Sequence, residues 1–91
     1  MNDGTMDLRA AIVDLEVNYA RATLCALPHQ LVRARKVIAA ALLVVRSENP
    51  APEKVALATR LVKDTSFALA ATRALVDDPF LNVFYEDFVY M

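Results

Sequence analysis

A single glycine, Gly4, is all the backbone permissiveness this 91-residue chain possesses. Turns that need a positive φ are therefore scarce, which argues against β-hairpin and barrel folds. A P-loop or a dinucleotide-binding fingerprint is excluded for the same reason, since each needs several glycines to bring backbone N–H groups close to phosphate. Tryptophan is missing, and cysteine and histidine occur once each, as Cys25 and His29. One cysteine cannot make an internal disulfide and suits a reducing compartment. One cysteine and one histidine fall short of the strong ligands a zinc site uses.

A strong excess of charge is lacking too. The formal net charge is −1, which gives no global attraction for nucleic acid. The longest unbroken apolar run, Val37 to Val45, is nine residues. As helix that run spans about 14 Å, roughly half the hydrocarbon core of a bilayer, so it is not a membrane span. The opening Met1 to Asp7 is acidic and has neither a basic n-region nor an apolar h-region, so no targeting segment is expected and the cytoplasm is the default location.

What the chain has in excess is apolar side chains. Hydrophobic residues make up 57% of it and its mean hydropathy is +0.34. Ordinary globular chains hold about 45–50% apolar residues. A domain of this length buries roughly 60–65% of its unfolded surface, so a thin core must accommodate an unusually apolar sequence. Self-association or a protein partner is the natural outlet.

Periodicity assigns the chain to the all-α class, as a single helical domain over residues 1–91. The first helix is expected over 5–27, with Thr5 as its cap and Asp7 in its first turn. One apolar stripe reads Leu8, Ile12, Leu15, Tyr19, Ala22, Ala26, and a second reads Val13, Val17, Ala20, Leu24, Leu27. The two lie about 100° apart and predict a helix buried on two flanks, with Asp7, Asp14, Asn18 and Arg21 on the wet side. Pro28 should stop or bend this helix. Because Leu31, Ala34, Ile38, Leu42 and Val45 continue the second stripe in phase, two arrangements compete: a sharp corner, or one long helix kinked at Pro28.

The second helix is expected over 28–47. Its basic start, with Arg33, Arg35 and Lys36, runs into Val37 to Val45, apolar on every side and so suited to the middle of a bundle or to an interface. Ser47 to Pro52 reads as a linker, with Asn49 as cap and Pro50 or Pro52 opening a third helix over 50–76. That helix carries the stripe Val55, Ala58, Val62, Thr65, Leu69, Thr72, with Leu57, Leu61, Ala68 and Leu75 alongside and Arg60, Lys63 and Asp64 on its wet face. Asp78-Pro79 restarts a short amphipathic helix over 79–90, which holds five of the seven aromatics. The architecture expected is a small bundle of three main helices plus this short fourth one. Charge is partitioned along it: residues 28–48 sum to +3, and residues 77–91 to −4. An acidic aromatic tail and a basic middle can pair, within one chain or between two.

Catalytic constellations are sparse. His29 and Cys25 are four apart, but a working dyad needs helix continuity through Pro28 and a third, orienting group. Asp14 with Glu16, and Glu86 with Asp87, lack the i, i+3 or i, i+4 spacing that puts two carboxylates on one face. Glu-x-x-His does not occur, which weighs against a bundle-type di-iron site. The reading is a non-enzyme with no cofactor, no metal and no evident small-molecule substrate.

Candidate protein-interface residues are Val37, Ile38, Leu42 and Val45, together with Phe80, Leu81, Phe84, Tyr85 and Phe88 of the tail. Candidate electrostatic contacts are Arg33, Arg35, Lys36 and Asp87. The expected function is protein–protein interaction, as a homodimer or a small adaptor or regulatory subunit. The hairpin around Asn49-Pro50-Ala51-Pro52, over residues 36–76, resembles the proline-turn hairpins of type III secretion needle and inner-rod subunits. That resemblance implies a subunit of an extended helical assembly, although the acidic tail and the long first helix depart from the pattern. A small inhibitor or immunity-type protein that occludes a partner is a further alternative. Nucleic-acid binding through Arg33, Arg35 and Lys36 ranks last, because the basic cluster leads straight into apolar residues rather than base-reading ones.

Overall fold

The computed structural model describes residues 4–77 and is all-α, with three helices: α1 (Thr5–Ala22), α2 (Pro28–Arg46) and α3 (Pro52–Asp77). The tail helix expected over 79–90 lies outside the described residues, and with it Phe80, Leu81, Phe84, Tyr85, Phe88 and Asp87.

The competition at Pro28 resolves as a corner. The residue before a proline is pushed out of the α region, and Leu27 is extended at φ −69°, ψ 150°. With little loop chemistry available, the chain ends α1 on backbone and short side-chain bonds. The Ala22 carbonyl accepts from the N–H groups of Cys25 (3.0 Å) and Ala26 (2.8 Å), and the Thr23 hydroxyl donates to the Ala20 carbonyl (3.1 Å). Pro28 then opens α2, where a missing N–H costs nothing. Gln30 completes the cap: its Oε1 accepts from the Leu27 N–H at 2.9 Å.

Two other caps differ from expectation. The residue capping α1 is Gly4, at φ 87°, and Thr5 is the first helical residue. Pro52 is the first residue of α3, so Asn49 sits too far upstream to cap it, and the Ala51 carbonyl accepts from the Val55 N–H at 3.0 Å.

Three contacts set the topology. Gly4 lies against Val55 and Asn18 against Ser66, so α1 and α3 run in the same direction. Gln30 meets Thr72, so α2 runs antiparallel to α3. The core between them is built from Leu8, Ile12 and Leu15 of α1, Val37 of α2, and Val62 and Leu69 of α3. Alanines 11, 22, 34 and 41 are buried with them and let the helices approach closely. Each large aliphatic side chain buried this way contributes about 1.5–3 kcal/mol. Three hydroxyl residues of α3, Thr65, Ser66 and Thr72, are also buried. Thr65 and Thr72 satisfy themselves by donating to the carbonyls one turn back, Leu61 (2.8 Å) and Ala68 (3.0 Å).

Candidate interaction surfaces

The inner face of α1 is the first stripe read from sequence: Leu8, Ile12, Leu15 and Ala22 are buried, with Tyr19 half-buried beside them. The second stripe is not a buried flank. Met6 exposes 74% of its surface, Val13 57% and Leu24 100%, and Ala10, Val17 and Ala20 are exposed between them. The helical period is the reason. Successive residues advance about 100°, so Val13, Val17, Ala20 and Leu24, with Met6 and Ala10, centre almost opposite the core rather than the expected 100° or so from it. Asn18 leaves the expected wet side for the α1–α3 contact, where its Nδ2 donates to the Ser66 hydroxyl (2.7 Å) and carbonyl (3.3 Å).

The outer stripe is spaced 4-3-4-3-4, the a and d positions of a heptad. The five charged residues of α1, Asp7, Arg9, Asp14, Glu16 and Arg21, all fall on the e and g positions that flank it. α1 is therefore apolar on two opposite faces and charged only along the two seams between them.

A second surface lies between α2 and α3. The expected all-apolar stretch is largely used within the chain: Val37, Ala41 and Val45 are buried, and Ile38 and Leu42 are half-buried against the same core. What the stretch turns outward is Ala39, Ala40 and Leu43, the last with 70% of its surface exposed. Ala40, with Val32 and Val37 of α2 and Leu61 of α3, floors a groove of about 630 Å³. His29, Arg33 and Lys36 stand along its rim, all exposed. A smaller hollow of about 180 Å³ continues it over Val44 and Leu57, with Lys54 at its edge. Asp64 faces Arg33 across a neighbouring depression, so one carboxylate interrupts the cationic side. Arg35 is exposed but does not line the groove.

The sequence-derived residues thus separate into groups. Arg33 and Lys36 come together over the groove with Val37, while Ile38, Leu42 and Val45 pack inward. Cys25 is half-buried and His29 exposed, and the extended Leu27 between them breaks the helical register a dyad would need. Among the described residues no group of three or more His, Cys, Asp or Glu is placed to hold a metal ion, and no helix is long and apolar enough to cross a membrane. Two exposed features went unread in the sequence: the heptad placement of charge along α1, and Phe67, which leaves 76% of its surface on the outside of α3. The first was available from the spacing of Asp7, Arg9, Asp14, Glu16 and Arg21. Phe67 carried no signal, because it lies off the apolar stripe and among small residues.

Comparison with protein-family models, with curated proteins and with solved structures finds no match.

Proposed function

We propose that this chain is a non-enzymatic cytoplasmic protein that works by protein–protein interaction, and that its first partner is itself, in the simplest form as a homodimer. The supporting observation is the two-sided character of α1. A helix apolar on opposite faces belongs inside a larger assembly, and among the described residues the bundle covers one of those faces and leaves the other exposed. Met6, Val13 and Leu24 leave a continuous apolar strip on the other, the kind of surface monomeric proteins rarely keep. Sedimentation equilibrium of the full chain tests the reading. A mass of two chains that dissociates on dilution is expected, and a single-chain mass at every concentration up to about millimolar overturns it.

The α2–α3 groove favours a second reading, an adaptor that receives an amphipathic helix with acidic flanks. Its floor is apolar and its rim carries Arg33, Lys36 and Lys54, the pairing that suits such a ligand. A labelled peptide of residues 78–91 is a suitable probe, being acidic and aromatic. Saturable binding that weakens with salt and is lost in Ala40→Phe supports the adaptor reading; binding indifferent to Ala40→Phe removes it.

A further inference from the structure

We infer that two copies of this chain pair through the outer face of α1, with the two α1 helices parallel and in register. The inference rests on the self-association reading and adds to it the face, the direction and the register.

The face follows from shape. Met6, Ala10, Val13, Val17 and Ala20 form an a/d seam along the whole of α1, and Leu24 extends it into the turn just beyond. That turn keeps a helical sense, since Thr23 is in the right-handed region and the Ala26 N–H bonds to the Ala22 carbonyl at 2.8 Å. A seam under three heptads long is too short to hold two isolated peptides together, because each would first have to fold. Here the helix is already formed and fixed by its inner face, so pairing carries no helix-nucleation cost. The two alanine layers, at Ala10 and Ala20, permit a close approach of the helix axes.

Direction and register follow from charge. In a parallel in-register pair, a g residue faces the e residue five positions on in the partner helix. Arg9 then meets Asp14 of the second copy, and Glu16 meets Arg21. Both contacts join opposite charges, and two-fold symmetry repeats each of them. In an antiparallel pair that keeps the same a/d layers, e faces e and g faces g. Asp14 then meets its own copy, as does Glu16, and two like-charge contacts sit at the centre of the seam. Asp7 with Arg21 would be attractive there, at the periphery. All of the residues involved are exposed on α1. Every charged contact is thus attractive in the parallel pair, whereas the antiparallel pair sets two attractive Asp7–Arg21 contacts at its ends against two repulsive ones at its centre.

The test uses the full chain. In a Cys25→Ala background, Val13→Cys should form a disulfide-linked dimer under mild oxidation, since identical d positions face each other in the parallel pair. Mixed Val13→Cys and Val17→Cys chains should cross-link 13 to 13 and 17 to 17 rather than 13 to 17. Glu16→Arg should weaken the dimer by roughly tenfold in Kd, through two attractive contacts made repulsive, and adding Arg21→Glu should restore it. These surface exchanges leave the core intact, and unchanged far-UV circular dichroism verifies that. Preferential 13-to-17 linkage would overturn the parallel arrangement. A dimer that persists without any of these cross-links, and is indifferent to both charge exchanges, would move the interface elsewhere while leaving self-association standing. A monomer throughout would remove both.

Discussion

Gln30 and Thr72, 42 positions apart in the chain, are joined by a hydrogen bond of 3.1 Å from the Gln30 side-chain amide to the Thr72 hydroxyl. The same Gln30 side chain accepts from the Leu27 N–H at 2.9 Å, and the Thr72 hydroxyl in turn donates to the Ala68 carbonyl at 3.0 Å. One side chain therefore caps α2 and ties its first turn to the far end of α3. The arrangement also explains how a corner without a glycine holds its angle: the proline sets the turn, and glutamine fastens it to the neighbouring helix.

Gln30→Ala removes both bonds at once. A loss of about 1–2 kcal/mol is expected, the sum of a cap and a half-buried hydrogen bond. Urea unfolding should show a lowered midpoint with an unchanged slope. In a double-mutant cycle with Thr72→Val, a coupling near 1 kcal/mol is expected, whereas strict additivity would mean that the two residues act separately.

Asn18 makes the corresponding tie between α1 and α3. Asn18→Ala should cost about 1–2 kcal/mol by leaving the Ser66 carbonyl and hydroxyl short of a donor. Asn18→Asp should cost more at neutral pH, because an ionised carboxylate donates to neither group and faces the carbonyl with like charge. Thermal melts of the two variants side by side check the order. If the aspartate variant is the more stable, the contact is not a donating one in solution.

Among the described residues, Gly4 is the one position where a side chain is strained by backbone alone. At φ 87° an alanine occupies the left-handed region, and its Cβ would stand 3.2 Å from the Val55 Cγ1. Gly4→Ala is expected to destabilise the bundle by about 1–2 kcal/mol, with the larger loss if Val55 cannot shift. Gly4→Asn should lose less of the backbone part of that cost, since asparagine tolerates the left-handed region. Equal stability of glycine and alanine, measured by urea unfolding, would show that the α1 cap is not formed.

The core is thin, and substitutions inside it should be severe while those on the exposed apolar positions are mild. Leu15→Ala, at a fully buried site, is expected to cost about 2–5 kcal/mol. Phe67→Ser and Leu43→Ser, on the outside, should stay within about 0.5 kcal/mol. A large loss at Phe67, seen by circular dichroism melting and dependent on protein concentration, would instead place that ring in an interface between chains.

The fold class and the inner faces were legible in the sequence. Leu8, Ile12 and Leu15, and Val55, Val62 and Leu69, recur at helical spacing, and burial follows that spacing directly. The α1 outer stripe misled for a physical reason. Val13, Val17 and Leu24 are as regular as the inner set, and periodicity measures apolarity without saying whether a neighbour from the same chain or from another covers it. The caps misled because Thr5 and Asn49 are good capping residues by type, whereas the backbone used Gly4 for its left-handed conformation and started α3 at Pro52. Asn18 appeared wet because it is polar, yet a donor that finds Ser66 across an interface is satisfied when half-buried. The groove between α2 and α3 arises where Ala40 is too small to fill the space above Val37 and Leu61, a property of two helices together that no single segment encodes.

The broadest helix contact in the bundle is between α1 and α3, the two elements farthest apart in the sequence. Each neighbouring pair is joined by a short connection, which favours rapid closure of hairpins, but α1 with α2 and α2 with α3 each touch less extensively than α1 with α3. Both of the more extensive helix contacts involve α3, so the bundle is incomplete until α3 docks. Folding is therefore expected to be fast yet all-or-none. On the ribosome the first two helices must wait, with their inner leucines and alanines uncovered, until residues as late as Leu69 and Thr72 have emerged. A stalled or shortened chain that ends before them keeps its apolar residues but has no bundle in which to bury them.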